Sequence, residues 1–450
     1  MPVITMPAAK VPHVRGSIPG PKAKAIIEKD ERYLVTATKA SPIAVESAQG
    51  SVVTDVDGNT LLDFASGVAV LNVGHCHPKV VRAVQEQAEK MFHFAGTDYY
   101  YQSQADLAER LANSMPGDGE KKVFFSNSGT EAVEAAFKAA RYHDPSRKMN
   151  LAFIGAFHGR SMGALSLTAS KKVQRERYQP MVPGTVHMPY ANCYRCPYHL
   201  EYPSCDIWCA RIMKEVYFDT ILPPAETSAV FMEPMQGEGG YVVPPKEFVQ
   251  IIAKDAKAEG IIFVDDDVQA GMGRTGRMWG IEHFDVVPDI ICSAKALASG
   301  VPMGATIMRR ELDFGVQAAH SNTFGGNCLG CASALATLDV LKEEKLIEAA
   351  EKKGKWMLQR LREIQEKCEC IGDVRGLGMM TVAEFVEDRV TKKPAVKMRN
   401  IIEHIALQKG LILISCGRSG IRFIPPLNIE QSLLETGFDI FEESVLEAEH

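Results

Sequence analysis

Residues 261–269 read IIFVDDDVQ, an apolar run followed by three aspartates. A run that is apolar at every position predicts a strand covered on both faces, as in the parallel sheet of an α/β protein. The carboxyl end of this strand then carries Asp265, Asp266 and Asp267, and open α/β sheets bind their ligands at that edge. Adjacent carboxylates repel one another unless a cation or a strong donor is near. The stretch therefore predicts an α/β fold. It leaves three alternatives for the acids: a solvated turn, a metal ligand, or a carboxylate that holds a proton on a cofactor.

Similar apolar runs alternate with helical patterns from about residue 77, which is typical of an α/β domain. The predicted strands of this region include KKVFFSN, LAFIGAF and AVFMEP. After about residue 330 the sequence changes to charged amphipathic helices and the predicted strands GLGMMTVAEF, GLILISCG and IRFIPPL. Before residue 77, SVVTDVDGNTLLDF carries a hairpin signal at Asp57-Gly58. The pattern predicts a large α/β domain and a smaller α+β domain at the C-terminal end.

Composition excludes several classes of function. The chain has 450 residues, 46% of them hydrophobic and 24% charged, and its net charge of −6 gives no sign of nucleic-acid binding. It contains no uninterrupted apolar run that could span a bilayer and no signal-peptide pattern near its start. Eleven cysteines in such a chain indicate a reducing compartment, so we expect a cytoplasmic protein without a membrane partner.

A single lysine interrupts the apolar stretch PDIICSAKALASGVPMGA, residues 288–305. Lysine is rarely buried, so a lysine at the end of the predicted strand that includes Ile290 and Ile291 needs a reason. Desolvation favours the neutral amine, which is the nucleophilic form. Taken alone, the stretch does not assign a role to Lys295.

The stretch FFSNSGTEAVEAAFKAAR passes from a predicted strand directly into a predicted helix. The start of that helix, at Ser128, Gly129 and Thr130, offers free N–H groups and a positive dipole end to an anion. Ordinary capping of the helix by serine explains the same residues equally well.

A third strand end, in IGAFHGRSMGALS, carries Phe157, His158 and Arg160. The aromatic ring could stack on a flat cofactor, and the arginine could bind a carboxylate through two hydrogen bonds. The alternatives are a core histidine and a surface ion pair.

The order of these features resembles the class III pyridoxal-phosphate (PLP) aminotransferases, which act on ω-amino acids. The motifs that carry the resemblance run from about residue 43 to near the C-terminus: GVAVLNVGHCHPKVV, NSGTEAVEAAFKAAR, FHGR, EPMQGEGG, DVQAGMGRTG, PDIICSAKALASGVPMGA, TFGGN, IGDVRGLGMM, GLILISCG and RFIPPL. Within the family the sequence is most similar to the prokaryotic 4-aminobutyrate aminotransferases.

The resemblance implies the fold-type-I architecture of PLP-dependent transferases. We expect a large domain with a central, mainly parallel sheet of the seven-stranded type and a smaller α+β domain. The implied division is an N-terminal arm and segment packing on the small domain (1–75), a large PLP-binding domain (76–335) and a small C-terminal domain (336–450). A homodimer with active sites at the subunit boundary is also implied, while pairing of dimers into tetramers stays open.

The resemblance also implies roles around the cofactor. Lys295 would form the Schiff base, and Asp266 would pair with the protonated pyridine nitrogen, so that the ring can accept electrons. The implied cofactor-binding residues are Ser128, Gly129, Thr130, Phe157, His158, Asp266, Val268, Gln269 and Lys295, with Thr323 from the neighbouring subunit.

The implied substrate residues are Val68, Arg160, Glu238 and Arg422. In the family, each arginine takes a carboxylate, and the glutamate neutralises the second arginine until a keto acid displaces it. The expected reaction is ping-pong transfer of the amino group of 4-aminobutyrate to 2-oxoglutarate, giving succinate semialdehyde and glutamate. Alternative donors are ornithine, acetylornithine, lysine and β-alanine. An amino-acid racemase or epimerase is an alternative of another class, although related racemases carry Asp at position 238.

Three features depart from the family pattern. Asp267 stands where most relatives have Glu, and Cys328 stands where a proline is usual. The segment CYRCPYHLEYPSCDIWC adds four cysteines, Cys193, Cys196, Cys205 and Cys209. Their spacing allows a zinc ion or an iron–sulfur cluster. We favour thiols in a surface excursion, with a disulfide as a further alternative.

Overall fold

A computed structural model describes residues 11–39 and 41–450. The first ten residues of the predicted N-terminal arm lie outside the described residues. Within the described part of the chain, no helix is both long and apolar enough to cross a membrane.

The N-terminal segment builds a small sheet. Its elements are α1 (Pro21–Tyr33), β1 (Val45–Gln49), β2 (Val52–Asp55), β3 (Thr60–Asp63) and the short α2 (Ser66–Ala69). Strands β2 and β3 pair antiparallel, which confirms the predicted hairpin. All four residues of α2 have positive φ, so this element is a left-handed turn.

The next part of the chain alternates strands and helices. The elements are α3 (Pro78–Ala88), α4 (Gln102–Ser114), β4 (Lys121–Ser126), α5 (Gly129–His143), β5 (Met149–Phe153), α6 (Met162–Leu167), β6 (Thr185–Met188), α7 (Trp208–Ile212), α8 (Phe218–Thr220), β7 (Thr227–Met232), α9 (Lys246–Ala258), β8 (Ile262–Asp266), β9 (Ile290–Ser293), β10 (Gly304–Arg309) and α10 (Cys328–Glu343).

These strands form one seven-stranded sheet in the order β4-β10-β9-β8-β7-β5-β6. Strand β10 is antiparallel to both neighbours, and the other pairs are parallel. Every residue of β7, β8 and β9 is buried, as the apolar runs predict. Because β4 and β9 are both antiparallel to β10, their carboxyl ends lie at the same edge as those of β5 and β8. That edge receives the candidate site residues.

The C-terminal part contains α11 (Leu346–Lys367), β11 (Ile371–Leu377), β12 (Met380–Asp388), β13 (Lys393–Pro394), α12 (Val396–Gln408), β14 (Leu411–Ile412), β15 (Ile414–Cys416), β16 (Gly420–Phe423) and α13 (Gln431–Glu449). An antiparallel sheet has the order β11-β12-β16-β15, with β13 beside β12. The prediction of one strand over GLGMMTVAEF is wrong, because Gly378, with φ of 51°, lies in a tight turn between β11 and β12.

Two features connect parts of the chain that lie far apart in the sequence. Strand β14 pairs in parallel with β3, with Leu411 opposite Leu62, so the N-terminal sheet is completed by a C-terminal strand. The buried Arg274 donates hydrogen bonds to Met379 O (3.1 Å), Pro425 O (2.6 Å) and Asn72 Oδ1 (2.7 Å). Burial lowers the pKa of Arg274 to about 10. The domain division at residues 76 and 336 itself stays a prediction.

Candidate active site

A cavity of about 410 Å³ lies at the carboxyl edge of the seven-stranded sheet. Its walls include Asp266 at the end of β8, Lys295 after β9, Thr130 in α5 and Phe157 after β5. The cavity therefore brings together residues from four separate stretches of the sequence.

The N-terminus of α5 forms one end of this cavity. Ser128 caps the helix, its Oγ accepting the Glu131 N–H at 3.4 Å. Thr130 Oγ1 is held by Ser161 Oγ at 2.7 Å. Gly159, with φ of 134°, approaches so closely that a Cβ there would lie 2.2 Å from Thr130 Oγ1. Because a helix start attracts negative charge, this end of the cavity fits a phosphate.

Asp266 is buried and bonded to a histidine. Its Oδ2 lies 2.7 Å from His158 Nδ1. Burial by itself lowers the pKa of His158, but the hydrogen bond and charge of Asp266 offset this effect, and the pKa is raised. Behind the pair, Glu233 accepts the N–H groups of Phe157 and Gly237, each at 2.8 Å, and burial raises its pKa to about 7. The hydrogen bond with His158 fixes the orientation of the Asp266 carboxylate, which suits a group that faces a cationic ring nitrogen.

Lys295 follows β9 directly, in a left-handed conformation with φ of 39°. Burial lowers the pKa of its amine, although the charges of Asp266 and Glu233 act in the opposite direction. The lowered pKa favours a neutral amine that can act as nucleophile and base.

Val268 and Phe157 line the same cavity and supply apolar surface for a flat ring. Val268 packs so closely on the start of α5 that a Cβ at Gly129 would lie 2.9 Å from Val268 Cγ1. The Arg160 guanidinium lies 5.7 Å from the centroid of the Phe157 ring, on an exposed side chain.

A second group of polar side chains surrounds Arg422 of β16. Glu238 Oε2 accepts from Arg422 Nη2 at 3.3 Å, and Gln269 Oε1 accepts from Arg422 Nη1 at 3.4 Å. Tyr241 donates its hydroxyl to the same Gln269 oxygen at 2.9 Å. Arg422 is buried, so its two weak contacts leave it ready for a stronger anionic partner.

The acids on either side of Asp266 are buried but do not line the cavity. Burial raises the pKa of Asp267 to about 7, and its Oδ2 accepts the Gly280 N–H at 2.6 Å. Burial and the negative charge of Asp267 raise the pKa of Asp265 well above its usual value. The raised pKa favours the protonated form of Asp265, which lessens the repulsion among the three acids.

The family model described as "Aminotransferase class-III" matches residues 34–445. The chain belongs to the class III aminotransferases. Among curated relatives of this aminotransferase, a probable 4-aminobutyrate aminotransferase from Bacillus subtilis is 40% identical over 88% of this chain and 91% of its own length. An isoleucine 2-epimerase from Lentilactobacillus buchneri is 34% identical over 95% of this chain and 96% of its own length.

Solved structures support the same fold. A thermostable (S)-enantioselective omega-transaminase from Thermomicrobium roseum superposes with a TM-score of 0.87, at 30% identity, covering 95% of this chain and 98% of that one. The fold is that of the PLP-dependent transferases of fold type I, as the sequence resemblance implies.

Class III aminotransferases are PLP-dependent, and the residues of this aminotransferase fit the cofactor. The N-terminus of α5 with Thr130 would hold the phosphate, and Asp266 with its His158 partner would face the pyridine nitrogen. Val268 and Phe157 would border the ring, and Lys295 offers an amine with a lowered pKa to the aldehyde. Gly159 packs so closely against Thr130, at the phosphate end of the cavity, that no side chain fits at position 159.

Four predicted residues are not part of this cavity wall in the single chain: Glu238 and Arg422, whose contacts are described above, and Val68 and Thr323. Val68 lies in the left-handed turn α2 with φ of 64°, and Val70 lines the cavity instead. Thr323 is exposed and distant in sequence from the cavity lining, and its contribution to a neighbouring subunit's site stays a prediction.

The four-cysteine segment shows free thiols. Cys193 is exposed, and Cys196, Cys205 and Cys209 are half-buried. Within residues 11–39 and 41–450, no group of three or more His, Cys, Asp or Glu side chains is arranged to hold a metal. The geometry thus gives no support to the metal or the disulfide alternative.

Sequence reasoning did not assign roles to Glu233, Tyr241 or Lys171, which contact predicted site residues. Lys171 Nζ lies 2.5 Å from Glu238 Oε1. Glu233 could have been found, because it is an acid at the end of the apolar strand in AVFMEP. Tyr241 and Lys171 follow no such pattern.

Proposed function

We propose that this class III aminotransferase transfers the amino group of an ω-amino acid, 4-aminobutyrate in first place, to 2-oxoglutarate. The observation that carries the proposal is the ion pair between Arg422 and Glu238 beside the cofactor cavity. Such a pair can neutralise the arginine when the reacting end of the donor has no carboxylate. It can open when a keto acid brings one. The relative from Bacillus subtilis supports the choice of donor.

The residues divide the work of the reaction. Bound PLP supplies an electron sink for the carbon that loses its proton. Lys295 Nζ would take that proton and deliver it again, since Lys295 lines the cavity and burial lowers the pKa of its amine. Asp266, held by its hydrogen bond with His158, would keep a proton on the ring nitrogen. Arg160 at the cavity mouth binds the distal carboxylate of the donor, and Val268 helps to exclude water.

Other ω-amines fit the same arrangement, and ornithine, acetylornithine, lysine and β-alanine are alternative donors. A racemase or epimerase is the second candidate, because the similarity to the isoleucine 2-epimerase extends over 95% of this chain. Racemisation needs a second proton-transfer group across the substrate from Lys295. Glu238 is the acid at the expected position, but both of its oxygens are engaged by cations, Lys171 and Arg422. This engagement favours the aminotransferase.

We also propose that the enzyme is a homodimer in the cytoplasm. Thr323 lies next to the exposed Phe324, and the Phe324 ring contacts His93 at 5.0 Å. Nearby, Phe92 is 63% exposed and Tyr100 fully exposed. Adjoining exposed aromatic side chains are typical of an interface, and a second copy that covers this surface would bring Thr323 towards another phosphate site.

The test is a panel of amino donors with 2-oxoglutarate, together with incubation of single amino-acid enantiomers without any keto acid. Formation of glutamate from 4-aminobutyrate supports the proposal. Loss of optical activity without a keto acid, and no glutamate from any ω-amine, would replace it with the racemase.

A variant, Lys295→Ala, should abolish both the absorption band of the Schiff base between lysine and cofactor and turnover. The exposed Lys254→Ala serves as its control. Near-normal turnover of Lys295→Ala would contradict the assigned role of the lysine.

A further inference from the structure

Glu238 is shared by two cations. Its Oε1 lies 2.5 Å from Lys171 Nζ, and its Oε2 lies 3.3 Å from Arg422 Nη2. The backbone of Glu238 is fixed, because its carbonyl accepts the Gly417 N–H at 2.9 Å. The side chain can therefore turn about a fixed base, and the shorter contact is the one to Lys171.

The three side chains form a path from the interior to the solvent. The exposed fraction of the side chain is 4% for Arg422, 21% for Glu238 and 37% for Lys171. Lys171 also lines a second, larger cavity of about 1080 Å³, whose wall includes Gly239, the residue after the glutamate, and Gly417, whose N–H donates to the Glu238 carbonyl. Glu238 thus connects Lys171 of this outer cavity with Arg422, which in turn contacts Gln269 of the cofactor cavity.

The position of the Glu238 side chain determines whether Arg422 can bind a substrate carboxylate. When a dicarboxylic substrate reaches Arg422, Glu238 must leave it, since two carboxylates at one guanidinium repel each other. Without a partner, the displaced glutamate would remain a free negative charge close to the arriving carboxylate. Lys171 offers it a site 2.5 Å away on the outer side.

We infer that Lys171 is a specificity-determining residue that competes with Arg422 for Glu238, holds the glutamate when a carboxylate takes its place at Arg422, and so favours dicarboxylic ligands over monocarboxylic ones. This inference rests on the proposed function only in that Arg422 receives a carboxylate. The proposed function involves the ion pair between Glu238 and Arg422. The inference adds Lys171 as a second cation that competes for the same glutamate. The lysine does not touch the reacting atoms and acts as a positioning residue.

The test measures ligand binding without turnover. The PLP-loaded enzyme is titrated calorimetrically with glutarate, which has a carboxylate for each arginine, and with butyrate, which has one. In Lys171→Met the glutamate loses its outer partner and competes for Arg422, so glutarate should bind roughly fivefold more weakly, the size expected of a partly screened ion pair. Butyrate affinity should stay the same, because that ligand does not need a free Arg422.

The chain offers a matched control in the next residue. Lys172 is exposed and only 3.6 Å from Glu176, so Lys172→Met removes the same charge without touching Glu238 and should bind both ligands like the wild type. Lys171→Arg should restore the wild-type ratio.

Unchanged glutarate affinity in Lys171→Met, an equal loss for glutarate and butyrate, or a wild-type enzyme that binds no glutarate would each overturn the inference. The panel of amino donors with the wild-type enzyme tests the proposed function separately.

Discussion

Replacing Asp267 with asparagine should make the stability of the enzyme less dependent on pH. The carboxyl group is buried, and its pKa of about 7 in the folded protein compares with a usual value of 3.8. The folded protein therefore holds a proton that the unfolded chain releases at lower pH. Because the folded state binds more protons between pH 4 and 7, this residue makes the free energy of unfolding fall as the pH rises through that window.

The difference between the two pKa values corresponds to about 4 kcal/mol at full ionisation. Roughly 3 kcal/mol of this lies between pH 5 and pH 8. Asparagine has the same shape and keeps an oxygen that can accept the Gly280 N–H, but it does not titrate. Relative to the wild type, Asp267→Asn should therefore gain up to roughly 3 kcal/mol of stability when the pH is raised from 5 to 8.

Urea unfolding of the PLP-saturated enzyme, followed by tryptophan fluorescence at both pH values, measures this gain. Asp118→Asn at an exposed position removes a carboxylate of the same kind and should show no such gain. If the difference in unfolding free energy between Asp267→Asn and the wild type is the same at pH 5 and pH 8, then Asp267 does not titrate in this range. The account of the three aspartates would then be wrong.

Two further substitutions test the packing of the site and of the chain. In Gly159→Ala the new Cβ would lie 2.2 Å from Thr130 Oγ1, on a backbone with φ of 134°. PLP should therefore bind at least tenfold more weakly in a cofactor titration. Wild-type affinity for PLP would refute the claim that Gly159 is needed for close packing at the phosphate end of the site. Arg274→Met leaves three buried oxygens without their donor and should lower the free energy of unfolding in urea by roughly 3 kcal/mol or more, with Arg274→Lys intermediate. A loss below about 1 kcal/mol would refute the role of the arginine in joining Asn72, Met379 and Pro425.

The sequence alone was sufficient to predict the central sheet and one side of the site. IIFVDDDVQ and PDIICSAKALASG are apolar runs that end in a polar residue, and parallel strands place such ends at one edge. Asp266, Lys295 and Phe157 line one cavity at that edge of the sheet. Each apolar run is short and local, so this part of the fold can be predicted without any knowledge of distant contacts.

Other contacts depend on distances that the sequence does not contain. Lys171 and Glu238 are 67 positions apart, and neither lies in a strand, so their ion pair follows from how two loops pack. The turn at Gly378 interrupts a run that is apolar enough to be a single strand, and both the positive φ and the close approach to Thr275 require a glycine there. The left-handed turn at Val68 likewise follows from no propensity, since a β-branched residue rarely has positive φ.

Strand β3 is made early, but its partner β14 is made late, near the C-terminal end of the chain. Leu62 leaves the ribosome about 350 residues before Leu411, its partner across the strands, which at 5–20 residues per second is a delay of roughly 20–70 s. During that time the side chains of Leu61 and Leu62, fully buried in the finished protein, lack the strand that completes their sheet. This early segment can therefore complete its sheet only after the strand near the C-terminal end has been made. Until then its unpaired strand edge and apolar side chains are exposed to aggregation.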